Sequence, residues 1–302
     1  MSAPSPSTPS SLFASVVAEL RAAGCVFAED EAQLILATAR THAEVTAMTG
    51  RRAAGLPLEH VLGWAAFAGL RVTVDPGVFV PRRRSEFLVG QAVALARPPL
   101  TTPLVVADLC CGTGAIGAAV TARLTGALPG PHDPRTGPVP VELHAADVDP
   151  AAVRCARRTI APFGGQAHQG DLYAALPSRL RGRIGLLVAS APYVPTGDIR
   201  LLPAEARDHE PRISLDGGAD GLDVVRRVAA GAPGWLAPGA HLLLETSPLQ
   251  AEALARDLTG AGLPARAVTD PGLDAATVIA TVTATGTATG TGTAPHEPPR
   301  RR

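Results

Sequence analysis

Three kinds of spacing follow one another along the chain. From Leu12 to about Leu62 apolar residues recur every three or four positions (Leu12, Val16 and Leu20; Leu34, Ile35 and Thr38; Leu58, Val61 and Leu62), as on amphipathic helices. From Ala68 to Pro81 the pattern alternates around Asp75-Pro76-Gly77, which predicts a hairpin turning at that tripeptide. From about Thr101 short aliphatic runs alternate with helical stretches. The runs PLVVADL, VELHAADV, IGLLVAS, AHLLLET and ATVIATV read as strands. Ala115 to Leu128, Pro150 to Ile160, Leu222 to Ala232 and Pro248 to Ala261 read as helices. Alternation of this kind predicts an α/β fold, a mostly parallel sheet covered on both faces. The proline- and glycine-rich stretch Gly126 to Pro140 reads as a surface loop. Residues 1–10 and 283–302 are low in complexity and are expected to be disordered.

Composition narrows the classes. The 302 residues are 46% hydrophobic, enough for a full core, and the formal net charge is zero. A nucleic-acid binder driven by electrostatics would carry a basic stripe, so direct nucleic-acid binding is not expected. Every basic residue is arginine, which excludes a Walker A lysine and Schiff-base chemistry. Cys25, Cys110, Cys111 and Cys155 form no Cys-x-x-Cys pair and the eight histidines form no His-Glu-x-x-His, so no metal is expected. The first residues lack a basic segment leading into an apolar core, and no apolar run approaches the ~20 residues of a membrane span. A cytoplasmic protein without membrane contact, and a monomer, is expected.

Candidate chemistry begins at VVADLCCGTGAIG. Gly112-x-Gly114-x-x-Gly117 matches the dinucleotide fingerprint, but Asp108, ending the strand before the turn, would repel a pyrophosphate. A ligand carrying an ammonium and a sulfonium would be attracted instead, and S-adenosylmethionine is such a ligand. The glycines let backbone approach it without Cβ clashes. Asp147, at the next strand end, is placed to accept from ribose hydroxyls, and Asp171 to meet the adenine amino group. Each aspartate alone would read as a helix cap or turn residue; three at successive strand ends, beside Gly-x-Gly, point to the cofactor. Cys110 and Ser190 complete that set. The strand Ile184 to Ala189 then runs into Ser190-Ala191-Pro192-Tyr193, a rigid turn bearing an aromatic in a chain with only 3% aromatic residues.

On these residues the chain resembles the protein-(glutamine-N5) methyltransferases over about residues 12–282, looking most like an actinobacterial-type relative. The stretches that carry the likeness are PLEHVLGWAAFAGLRVTVDPGVFVPRRRSEFLV, ADLCCGTGAIG and DHEPRISLDGGADGLDVVRRVAAGAPGWLAPGAHLLLE. The resemblance implies a small helical substrate-recognition domain (11–67), a linker hairpin (68–81) and a seven-stranded Rossmann-like methyltransferase domain (82–282). It also implies a protein substrate, the glutamine of the Gly-Gly-Gln loop in peptide-chain release factors. Two motifs depart from the family: Pro-Arg-Pro-Glu-Thr-Glu is Pro81-Arg82-Arg83-Arg84-Ser85-Glu86 here, and Asn-Pro-Pro-Tyr is Ser190-Ala191-Pro192-Tyr193.

In this reading the Ser190 oxygen and the Ala191 carbonyl accept both N–H bonds of a planar amino group, Pro192 fixes the carbonyl's direction and Tyr193 stacks on the group. Methylation of another planar amino group, in adenine or a small metabolite, and a cofactor-binding pseudoenzyme are the alternatives. Glu245 and Thr246 are candidate pocket residues or a plain strand end. Glu210-Pro211-Arg212 is a candidate closure of the site or a surface ion pair. Arg82 and Glu86 are a candidate polar lid or a helix cap.

Overall fold

The computed structural model describes residues 9–96, 103–128 and 137–283. The disorder expected at both ends, and much of the surface loop expected from Gly126 to Pro140, fall largely outside these residues. Pro9 and Ser10, expected in the disordered end, open helix α1 instead.

Four helices come first: α1 (Pro9–Ala22), α2 (Ala28–Thr38), α3 (His42–Ala53) and α4 (Leu58–Leu62). They share a core of their own, in which Leu20 and Ile35 are fully buried. Leu34 shares the helical spacing but lies on the outer face, so the periodic set includes one surface residue. The bundle is tied to the rest of the chain by Arg52 on α3. Its guanidinium pairs with Glu31 on α2 and with Glu205, far along the chain, at 2.7 Å each.

The hairpin is β1 (Trp64–Phe67) and β2 (Leu70–Thr73), turning at Ala68-Gly69. It lies earlier than expected. Asp75-Pro76-Gly77 does form a turn, closed by Val78 N–H on the Asp75 carbonyl, but past the end of β2. A strong turn signal masked a weaker one, because Ala68 adopts a positive φ of 50° that alanine seldom takes.

The main sheet contains β3 (Leu104–Leu109), β4 (Val141–Asp147), β5 (Gln166–Gln169), β6 (Ile184–Ala189), β7 (Leu236–Thr246), β8 (Ala265–Asp270) and β9 (Ala275–Thr281). Their order is β5-β4-β3-β6-β7-β9-β8, with the first five parallel and β9 antiparallel to both neighbours. This is the seven-stranded, Rossmann-like α/β sheet that was expected. Alternate residues serve opposite faces. Val105, Ala107 and Leu109 belong to one core, with α9 (Asp223–Gly231) and α10 (Pro248–Gly260). Val106 belongs to the other, with α5 (Glu86–Leu95), α6 (Ala115–Leu124) and α7 (Pro150–Ile160). Helix α7 begins where Asp149 caps it, accepting the Ala151 N–H at 2.8 Å with Pro150 in the first turn. A short helix α8 (Ala204–His209) stands in the long connection after β6. The chain reverses its direction of winding between β3 and β6, and the carboxyl ends of those two strands open on a common crevice.

Candidate active site

That crevice is a cavity of about 660 Å3, within the range of small-molecule sites. Its walls come from the segment Phe79 to Arg84, the turn after β3, the end of β4 with the first turn of α7, the residues after β5, the stretch from Ser190 to Leu215, and Val224 and Arg227 on α9.

Of the residues picked out in the sequence, Cys110, Gly112, Asp147, Asp171, Ser190, Ala191, Pro192 and Tyr193 all line it. Asp108 and Gly114 do not. Asp108 shares the Val106 face of β3, so its side chain turns under α6, where Oδ2 accepts the Gly117 N–H at 2.8 Å. It is 1% exposed, and Oδ1 has no partner. Burial raises its carboxyl to about 7, against the pull of the Gly117 N–H and with a smaller push from Asp147. Gly114 has φ 73°, and a Cβ there would meet Ile160 Cγ2 at 3.0 Å and the Ala156 backbone at 3.2 Å. The turn is thus pressed against α7 and leaves its open side to the cavity.

Asp147 is fixed by two backbone donors, Gly112 N–H to Oδ2 at 2.8 Å and Asp149 N–H to Oδ1 at 2.9 Å. Its oxygens retain lone pairs toward the cavity it lines, and burial raises its pKa. Asp171 reaches the wall already paired with Arg227 at 2.5 Å. Cys110 holds a positive φ of 54°, and burial keeps its thiol protonated.

The Ser190-Ala191-Pro192-Tyr193 turn is braced from behind by a stretch with no role assigned in the sequence. Val194 bridges Asp216, and Gly217 N–H donates to the Val194 carbonyl at 2.9 Å. Gly221, with φ 79°, passes so close that a Cβ would lie 2.3 Å from the Tyr193 carbonyl. Gln250 Nε2 donates to the Tyr193 carbonyl at 3.0 Å and to the Asp220 carbonyl at 2.8 Å. The glycine spacing of DGGADGLD was the available signal for this brace. Burial raises the Tyr193 phenol to about 12, so it stays neutral.

The secondary candidates divide. Arg82 and Pro211 line the cavity, and Arg82 pairs with Glu210 at 2.6 Å. That pair is not the surface bridge considered in the sequence, because the Glu210 side chain is 1% exposed. Arg212 faces away, paired with Asp216. Glu86 is no lid: its Oε1 accepts the Ala68 N–H at 3.0 Å and secures the hairpin. Glu245 and Thr246 are buried behind the cavity and do not line it. Among the described residues no cluster of His, Cys, Asp and Glu suits a metal ion, and no helix is long and apolar enough to cross a membrane.

The residues fit S-adenosylmethionine. Gly112 gives the cavity a wall without a side chain, Gly114 presses the turn against α7, and Asp147 presents an oriented carboxylate to the cavity. Sheet, turn and strand end together define an S-adenosylmethionine-dependent methyltransferase. Release factor glutamine methyltransferase of Streptomyces coelicolor is 34% identical over 203 residues, 67% of each chain. That of Moorella thermoacetica is 38% identical over 216 residues, 70% of this chain and 69% of its own. The chain belongs to the release factor glutamine methyltransferase family. The matched stretch covers about two thirds of these relatives' length. A 4-amino-L-phenylalanine/4-methylamino-L-phenylalanine methyltransferase of Streptomyces pristinaespiralis is 37% identical over 204 residues, 66% of this chain and 64% of its own. No family model matches. A solved methyltransferase of Pyrococcus furiosus overlaps with a TM-score of 0.49 at 14% identity, covering 71% of this chain and 90% of its own; the fold rests on the strand order itself.

Proposed function

We propose that this methyltransferase acts on the side-chain amide of the Gly-Gly-Gln glutamine in a peptide-chain release factor. The observation that carries the reading is the position of Ser190-Ala191-Pro192-Tyr193, ending β6 on the cavity wall beside β3, whose glycine turn opens on the same space. S-adenosylmethionine, when bound, supplies an electrophilic methyl group. An amide nitrogen is a poor nucleophile, because its lone pair is delocalised into the carbonyl. Ser190 Oγ and the Ala191 carbonyl accept its two N–H bonds and hold the nitrogen in line for attack. Orientation of this kind contributes on the order of several kcal/mol. Pro192 restricts the backbone that aims the carbonyl. The neutral Tyr193 ring stacks on the amide plane and keeps water out.

The helical bundle is the part that meets the release factor. Its Arg52 is bonded to Glu205, itself a wall residue beside Pro203 and Ala206, so a protein resting on α1–α4 reaches the cavity mouth.

Transfer of labelled methyl to purified release factors tests the reading, with a Gly-Gly-Gln to Gly-Gly-Ala variant as control. Label on the unaltered factor alone supports it. No label despite measured cofactor binding, or label on an aminophenylalanine offered in parallel, overturns it in favour of a small planar amine.

A further inference from the structure

Ser190 and Glu245 are neighbours across two parallel strands. The β6–β7 register pairs Ala189 with Leu244, so the next residue on each strand points to the same face, the one covered by α5. Ser190 lines the cavity; Glu245, 3% exposed, lies behind it. The groups facing Glu245 come from every element around it. Ser85, in the turn before α5, and Ser190 stand close enough for their hydroxyls to draw the Glu245 carboxyl toward its charged form, and Arg84 does so through its charge. The Tyr193 phenol feels it from the motif turn. On β9, Thr277 stands directly opposite in the antiparallel register. Glu245 Oε2 and Thr277 Oγ1 have no partner.

A serine hydroxyl both donates and accepts, whereas an ionised carboxylate only accepts. Where the two meet, the hydroxyl must be the donor, and its oxygen is left with lone pairs alone. We infer that Glu245 is a positioning residue that makes Ser190 a one-way acceptor: the carboxylate takes the Oγ–H in a hydrogen bond, and the Oγ lone pairs face the cavity for a substrate N–H. The inference rests on the reading of Ser190 as an acceptor and deepens it. A carboxamide at position 190 would present an acceptor oxygen unaided. The serine in its place needs a second residue to fix its polarity, and the strand register supplies one. The same polarity favours an acceptor group that brings N–H bonds over one that brings only oxygen lone pairs. Burial pushes the Glu245 carboxyl up, and the two hydroxyls and Arg84 pull it back toward the charged form.

Two measurements test the pairing. The first needs no substrate: an infrared pH titration of the carboxyl bands, with the Glu245 contribution identified by E245Q, or by E245D should E245Q not fold. Glu245 is expected to be ionised at about pH 8, and Ser190→Ala is expected to raise its pKa through loss of a donor. A protonated Glu245 at that pH, or a titration that Ser190→Ala leaves unmoved, overturns the inference. The second is kinetic. E245Q is expected to lower kcat on a release factor roughly tenfold, the scale of one lost charge-assisted hydrogen bond, with KM and cofactor affinity held. The same change should cost several-fold less in an S190N background, where the carboxamide accepts without help. Equal losses in the two backgrounds mean a merely structural role and also overturn it. If the wild type methylates no release factor while Ser190→Ala still moves the titration, the substrate assignment falls and the pairing stands.

Discussion

Arg82 and Glu210 are joined through both carboxylate oxygens, at 2.6 Å each, although 128 residues separate them in the chain. Glu210 also accepts the Val80 N–H at 3.1 Å, and the Arg82 guanidinium lies 4.8 Å over the Phe79 ring. The segment before α5 is thereby fastened to the end of α8, and two opposite walls of the cavity become one structure. Removing the carboxylate would leave the Val80 backbone N–H without a partner and Arg82 held only by the Phe79 ring and solvent. Glu210→Ala is expected to cost about 3 kcal/mol in denaturant unfolding and to raise KM for the methyl acceptor. A loss below about 0.5 kcal/mol would mean the pair behaves as a solvated surface bridge.

Asp108 lies beneath α6, off the cavity wall, and its charge is expected to count against stability. Its carboxyl titrates near 7 in the folded protein against a reference of 3.8, because burial disfavours the charge. An acid whose folded pKa is raised binds protons better folded than unfolded, so its contribution to stability falls as pH climbs from about 4 to about 7 and is level above that. Asp108→Asn is expected to raise the melting temperature at about pH 8. If Asp108 takes part in cofactor binding, the wild type is expected to bind S-adenosylmethionine more tightly as pH passes 7, and Asp108→Asn is expected to weaken binding and abolish that rise. Calorimetric titrations across that range check both; unchanged affinity would free Asp108 from any part in cofactor binding.

Two glycines should separate the halves of the site. Gly114→Ala drives a Cβ into α7 and is expected to reduce cofactor affinity roughly tenfold or more, the cost of forcing backbone at a positive φ. Gly221→Ala presses on the Tyr193 carbonyl instead and is expected to lower kcat while leaving cofactor affinity within about twofold. Loss of both properties in each variant, with folding intact, would show that turn and brace act as a single unit.

Tyr193 is proposed to act through its ring. Since its hydroxyl stays neutral up to about pH 12, Tyr193→Phe is expected to keep kcat/KM within about threefold and to leave the pH profile unchanged. Tyr193→Ala should cost roughly tenfold or more, on the scale of a lost aromatic stacking contact. A large effect of the phenylalanine variant would assign the phenol a direct part in the chemistry.

The features legible in the sequence are those fixed by short-range pattern. The glycine turn, Asp147 and the Ser190 to Tyr193 turn each sit at the end of an aliphatic run, and the sheet delivers them to one cavity. What escaped depends on side-chain direction and on pairing. Asp108 was recognised as a strand-end acid, but only its parity with Val106 sends it beneath α6 rather than to the wall. Glu245 gained a neighbour through the β6–β7 register, which no local pattern encodes. Edge strand β8 was missed because its half-buried residues never form a continuous apolar run. The hairpin was displaced because Ala68-Gly69 is a quieter turn signal than Asp-Pro-Gly.

The insertion of β6 between β3 and β7 has a kinetic side. Pairings between strands far apart in the chain close late, since each must overcome the entropy of a long loop before it contributes. The glycine turn can assemble from consecutive elements, but the surface opposite it arrives only when the central strand docks and Glu210 finds Arg82. On the proposed site, a chain folded only as far as the glycine turn is expected to hold no methyl acceptor, so that turnover would report completed folding.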